Sequence, residues 1–497
     1  MKRDISGNIV LCCLSLIVLF GSLVSVSESL QSSLSLPSNG LINYWPVVDV
    51  TINISRVIGI NNLSLGLQLD WEWKAWLDSP TRIELARNAS FRIIRFFDFR
   101  PTTPRLMPCT YWDEASQTGT WDWTNVDNFV QAIFDVGAEP LICFGWPMAN
   151  STKTQNTIPS SMALNPITQL PYPNSYAKYC TEWVKHFKEK GWPVRLYEIF
   201  NEPYAYFGWS PNLTKLEYFK NVWNTCAKAM RAENPAVLLS FDFIMSKTVL
   251  NYWLTNNGEN VDFLDFHKYD CWAASGTGYF NDTDLLVRAE TERFETTDTY
   301  GVYDAQEIWL NARGVILPII CSESNLNAAY QNGTDPRIQK TIGAIWTALV
   351  LREAILKGLS CYVYYNFGSS GSKVAPSGGI GFGMINLDTD RPWYPYYVHQ
   401  MIGNSLSVGD RIVESTSSSD DLRVLAWIHN RIVNVLIVSK IDHSYSINLH
   451  GFKGELELIK IDDTIPWENA SLQTYLFYAG EPLIVSGYTV ALAQTIV

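Results

Sequence analysis

The chain reads as an α/β protein, a (β/α)8 TIM barrel followed by a C-terminal β-sandwich domain. Three observations predict this. Eight short apolar runs alternate with helix-length segments between residues 60 and 400, the sequence form of a parallel α/β fold. Past residue 405 the texture changes to short alternating runs broken by turn residues, as in a small sandwich. No G-x-G-x-x-G follows an early run, so a doubly wound dinucleotide-binding sheet has no support.

Residues 1–27 are expected to be a signal peptide. Lys2 and Arg3 precede an apolar stretch at 9–24, and the small residues Ser25 and Ser27 follow. Its 16 residues are short for a membrane span, which leaves an uncleaved anchor as the alternative. Residues 28–58 form an N-terminal extension, serine-rich at first, whose extended piece at 47–60 is expected to join the sandwich. The barrel is assigned to 59–404, with strands at 64–69, 92–97, 140–144, 196–200, 237–241, 263–267, 316–321 and 360–365. Helices are expected at 123–136, 175–190, 214–232 and 337–357. The first carries Val126, Phe129, Val130, Ile133 and Phe134 on a 3.6-residue stripe and stops at Gly137. The sandwich, 405–497, has runs at 411–415, 422–428, 432–439, 445–450, 455–460 and 483–494.

Composition narrows the function. In 497 residues, 37 Lys and Arg against 49 Asp and Glu leave a formal charge of −12. Nucleic acid and anionic membrane surfaces need a basic patch, so neither is an expected partner. Eight N-x-[ST] sequons, at Asn53, Asn62, Asn88, Asn150, Asn212, Asn281, Asn332 and Asn469, join the leader in predicting a secreted glycoprotein. Beyond Cys12 and Cys13 in the leader lie seven cysteines, an odd number. Cys143, Cys321 and Cys361 fall in apolar runs as buried thiols, whereas Cys109, Cys180, Cys226 and Cys271 are the expected disulfide partners. No His/Cys cluster has zinc spacing, so neither metal nor cofactor is expected.

The chemistry sits at two strand ends. Tyr197-Glu198-Ile199-Phe200-Asn201-Glu202-Pro203 is an apolar strand closing on Asn-Glu-Pro, the fourth of eight, and Glu323 closes the seventh. Barrels carry their active residues at the C-terminal ends of strands. Two carboxylates placed there suit retaining glycoside hydrolysis, in which one protonates the leaving oxygen and the other attacks the sugar. Glu202, as the acid, is expected to have a raised pKa, and Glu323, as the nucleophile, to stay ionised. Asn201 is expected to bond the sugar 2-hydroxyl. Arg95 is a charge inside the apolar run Ile93-Ile94-Arg95-Phe96-Phe97, and a buried arginine needs a carboxylate partner.

Residues 121–203 (WDWTNVDNFVQAIFDVGAEPLICFGW…YEIFNEP) resemble the clan A glycoside hydrolases, most of all family 39, the β-xylosidase and α-L-iduronidase group, with families 5, 51 and 79 as near relatives. Residues 51–66 also resemble the entry into those barrels, and the likeness spans about 50–400. The resemblance implies Glu202 as general acid/base and Glu323 as nucleophile. It implies that Arg95 holds Glu323 and that His267 and Tyr269 form a His-x-Tyr pair beside it. Phe97 departs from a family 39 pattern that has His soon after the arginine, so the resemblance does not carry that family's sugar preference over to this chain. Trp146 is a candidate sugar platform, with Trp71, Trp73, Trp76, Trp209, Trp272 and Trp393 as further subsite candidates. The expected activity is secreted, retaining cleavage of a β-linked polysaccharide or oligosaccharide, endo-acting on glucan, mannan or xylan. The alternatives are an exo-acting β-xylosidase-like enzyme and a non-catalytic carbohydrate-binding surface glycoprotein.

Overall fold

Each of the eight expected barrel strands is present. The computed structural model describes residues 45–97, 105–147, 157–208, 211–242, 246–273, 275–295, 301–329, 335–369 and 381–496. The strands, in chain order, are Ser64–Gln68, Ile93–Phe96, Glu139–Cys143, Leu196–Glu198, Leu238–Ser240, Leu264–Cys271, Ile319–Asn327 and Cys361–Tyr364. All pair in parallel, in the spatial order fifth, fourth, third, second, first, eighth, seventh, sixth. A single parallel bridge between Asp242 and Asp265 joins the fifth strand to the sixth and closes the cylinder.

The seventh strand begins later than expected, at Ile319, because Pro318 has no N–H to give to the ladder. Pro318 still accepts, its carbonyl taking the Leu264 N–H at 2.8 Å. The sixth and seventh strands run on past the expected ends, so His267 and Glu323 lie within paired backbone, facing one another in register. That pairing holds both side chains on rigid elements.

The outer helices follow the apolar stripes. Thr124–Asp135 buries Val126, Phe129, Val130 and Ile133 and ends at Gly137, whose φ of 83° suits a residue without Cβ. Pro173–Glu189, Leu213–Glu233 and Thr341–Leu356 match the other expected helices. Thr341–Leu356 is buried nearly all round, because barrel strands cover one side and the second sheet covers the other.

The second sheet has nine strands, mostly antiparallel. Val47–Ile60 lies inside it, antiparallel to Arg411–Ser417 and parallel to Tyr445–His450. The sheet curls over its own core, in which Val50, Val435, Ile447 and Leu458 meet. In the strand Ile432–Ser439, Val433, Val435 and Ile437 face that core, while Leu436 and Val438 join the barrel core. Gln473–Tyr478 is an edge strand that the sequence reading lacked. The expected run at 483–494 is two strands, Leu483–Val485 and Val490–Ile496, which lie in different parts of the sheet. Between them Gly487 passes so close to the Asp442 and His443 backbone that a Cβ would clash.

One expectation is overturned. Cys109, Cys180, Cys226 and Cys271 are not disulfide-linked; like Cys143, Cys321 and Cys361, they are free and buried. Each behaves as a small hydrophobe in the core, and burial pushes the Cys109 thiol up to about 12. The expected signal peptide, 1–27, lies outside the described residues, and among these no helix is long and apolar enough to cross a membrane. The sequons Asn53, Asn62, Asn88, Asn212, Asn281 and Asn469 are all exposed; Asn150 and Asn332 lie outside the described residues.

Candidate active site

Arg95 organises the barrel floor. It stands third in the second strand and is wholly buried. Its guanidinium takes Glu198 as a fork, Nε to Oε2 at 3.0 Å and Nη2 to Oε2 at 2.6 Å. Nη1 reaches Gln68 Oε1 at 2.7 Å and Glu323 Oε2 at 2.9 Å, and Nη2 reaches Asn201 Oδ1 at 2.6 Å. A buried arginine is tolerable only with such compensation. Burial alone would raise the Glu198 carboxyl, but the Arg95 charge and hydrogen bonds outweigh it and hold Glu198 below the usual range. Arg95 therefore does contact Glu323, as expected, but its fuller partner is Glu198.

Glu323 is gripped at both oxygens. Arg95 holds Oε2, and the Tyr269 hydroxyl donates to Oε1 at 2.6 Å. The pairing of Asn325 with Tyr269, two residues beyond that of Glu323 with His267, puts that tyrosine on the same face as His267, next to the carboxylate. Glu202 lies across the mouth at the end of the fourth strand, with a φ of 41° that a non-glycine residue seldom adopts. His267 Nδ1 stands between the two, 3.0 Å from Glu202 Oε1 and 3.9 Å from Glu323 Oε1. The two Oε1 atoms are thus at most about 7 Å apart, which admits the short spacing of retaining pairs (about 5–5.5 Å) and excludes most of the inverting range. Their side chains are 23% and 11% exposed, whereas Glu198 is closed off, so these two carboxylates are the ones open to a substrate.

The expected raised pKa of Glu202 is not found. Burial pushes its carboxyl up, but the hydrogen bond and charge of His267, with a further bond from Tyr204, leave it below the usual value. His267 is itself driven up to about 10: burial opposes its charge, and Asp242, Glu323 and Glu202 together favour it more strongly. The imidazolium is the reason the expectation failed. The sequence placed His267 beside the nucleophile, whereas its closest carboxylate is Glu202. Donor atoms of Glu202, Asp242 and His267 also come within 4.8 Å of one another, a spacing that a metal ion could bridge. A charged imidazole among carboxylates already balances that charge.

The aromatic candidates divide. Trp146 is half-buried at the end of the third strand, edge-on to Phe97 at 5.6 Å. Trp71 and Trp272 are 40% and 54% exposed. Trp73, Trp76 and Trp393 are core residues and not subsites; Trp73 and Trp76 pack edge-on against Phe129. Trp209 lies outside the described residues. Sequence reasoning missed Glu198, Asp242 and Asp265. Each is a carboxylate in or beside an apolar strand, the same signal that singled out Arg95.

No family model and no curated protein matches the chain. Solved structures do. A GH39 β-xylosidase from Caulobacter crescentus aligns with a TM-score of 0.63 at 14% identity, over 91% of this chain and 100% of its own. The GH39 enzyme from Xanthomonas axonopodis pv. citri gives 0.62 at 14% identity, over 92% and 99%. An α-L-arabinofuranosidase from Thermotoga maritima gives 0.60 at 13% identity, over 90% and 100%. At such identity the likeness is one of fold, and it runs through both the barrel and the attached sheet.

Proposed function

We propose that this chain is a retaining glycoside hydrolase of the clan A type, with Glu323 as nucleophile and Glu202 as general acid/base. One observation carries the reading: two partly open carboxylates face each other across His267 at the C-terminal mouth of the barrel, and one of them is fixed at both oxygens. A carboxylate held by Arg95 and Tyr269 is aimed, as attack on an anomeric carbon requires. Glu202 donates a proton to the departing oxygen, then takes one from water as the glycosyl ester on Glu323 is hydrolysed. Asn201, fixed by Arg95, is the group assigned to the sugar 2-hydroxyl. The substrate is a β-linked polysaccharide or oligosaccharide, and the exposed sequon asparagines support a secreted glycoprotein.

Endo action on glucan, mannan or xylan remains the first assignment, resting now on Trp71, Trp146 and Trp272. An exo-acting β-xylosidase is the second reading, favoured by the burial of three other tryptophans and by the likeness to the Caulobacter crescentus β-xylosidase. Incubation with β-glucan, mannan, xylan and aryl β-xyloside separates the two. Loss of the activity found in both Glu202→Gln and Glu323→Gln is the expected result; a Glu323→Gln variant as active as wild type would overturn the nucleophile assignment.

A further inference from the structure

Asp242 is a second acid in the site, and the reaction as written does not use it. It follows the fifth strand, at the bridge that closes the barrel, and its side chain is 1% exposed. Among the described residues neither of its carboxylate oxygens accepts a hydrogen bond. Its Oδ2 lies 3.8 Å from His267 Nδ1, the same nitrogen that meets Glu202 Oε1 at 3.0 Å. One imidazole nitrogen therefore stands between a buried, uncommitted carboxyl and the proposed general acid. A buried carboxyl with no hydrogen bond is costly as an anion and is best kept as an acid.

We propose that Asp242 is the proton reservoir of Glu202, exchanging with it through Nδ1 of His267. This rests on the reading of Glu202 as the general acid. The transfer balances in two moves. The Nδ1–H bond breaks and its proton forms an O–H bond on Glu202 Oε1, leaving a neutral imidazole with a lone pair on Nδ1. The Asp242 O–H bond then breaks and its proton restores Nδ1–H, leaving Asp242 as the carboxylate. The net change is one proton moved from Asp242 to Glu202, with the imidazolium restored.

The electrostatics agree with that direction of storage. Burial pushes Asp242 up to about 7, against the His267 charge, while Glu202 sits below its usual range. The resting proton thus belongs to Asp242. The charged and titratable groups acting on Asp242 are His267, Glu202, Arg293, Glu198, Tyr204 and Asp265. His267 also faces Glu323, whose charge disappears once the glycosyl ester forms. The transfer to Glu202 therefore belongs before the ester forms, because Glu202 must be unprotonated to take a proton from water afterwards.

Asp242 is on this account a positioning residue for a proton, and its variant should fail selectively. Asp242→Asn is compared with wild type on dinitrophenyl and alkyl β-glucosides, β-mannosides and β-xylosides, using the sugar that wild type hydrolyses. The alkyl glycoside, which needs the acid, should lose tenfold or more in kcat/KM near neutral pH, with its alkaline limb moved to lower pH. The dinitrophenyl glycoside, which needs no acid for departure, should stay within about threefold in its glycosylation step. Equal losses on both, with the limb unmoved, would overturn the proposal in favour of a structural role. Glu202→Gln serves as the separate control: if it shows no dependence on leaving group, the general-acid reading fails whatever Asp242 does. Wild type alone gives a measurement independent of substrate and of variant folding. The 15N signal of His267 Nδ1 should shift near pH 7, as Asp242 ionises, while keeping its proton. A signal flat between about pH 5 and 8 would refute the reservoir.

Discussion

Replacing Glu198 by Gln tests whether the barrel floor is an ion pair or merely a packed arginine. Glu198 supplies three of the six side-chain contacts made by Arg95, and both side chains are closed to water. Breaking a buried pair costs about 3–5 kcal/mol when one charge is left alone. Gln keeps the shape and one acceptor, and Glu323 still faces the guanidinium, so the expected loss is about 2–3 kcal/mol. Urea unfolding at neutral pH measures it. The pH dependence has a definite sign. Glu198 is held below its ordinary value in the folded chain, so the unfolded chain binds more protons at acid pH. The stability it contributes is complete above the ordinary carboxylate range, about 4.3, and is lost as pH falls through the lower folded value. The gap between wild type and variant should therefore narrow on acidification. A gap under about 0.5 kcal/mol at neutral pH, or one that widens in acid, would show that Glu323 alone balances Arg95.

Tyr269→Phe removes the hydroxyl from Glu323, a hydrogen bond to a charged group worth about 1.5–3 kcal/mol; kcat should fall about 10- to 100-fold, checked against an unchanged fold by circular dichroism. Trp73→Ala should cost about 3–5 kcal/mol of stability by leaving a cavity beside Phe129, while Trp272→Ala, half open to water, should cost less than about 1.5 kcal/mol; urea curves for the two separate core from surface. The seven cysteines from Cys109 to Cys361 should all accept an alkylating label after denaturation without reductant, counted by mass spectrometry; a lower count would reveal a disulfide.

The barrel was legible because its strands are buried on both faces and read as unbroken apolar runs, with Glu202 and Glu323 ending or interrupting two of them. The edge strand Gln473–Tyr478 was not, because it has no buried face to impose alternation: Tyr475, Leu476 and Tyr478 are all exposed. Tryptophan identity said nothing about direction; Trp73 and Trp272 both follow barrel strands, yet one points into the core and the other into water. The cysteines misled for a related reason, since an expectation of export predicts bridges while buried thiols need only an apolar niche.

The charges in the strands carry the deeper lesson. A buried arginine announces that a carboxylate must be near, and Arg95 did so from sequence alone. It could not announce which one, because partner choice is set by strand order. The second strand neighbours the third and the first, yet Arg95 reaches inward across the barrel to Glu198 on the fourth and Glu323 on the seventh. Closure of the cylinder makes such contacts, and it brings Asp242 to His267 in the same way. The pKa of Glu202 followed the neighbour that closure supplied, an imidazolium, and not the burial that the sequence could foresee.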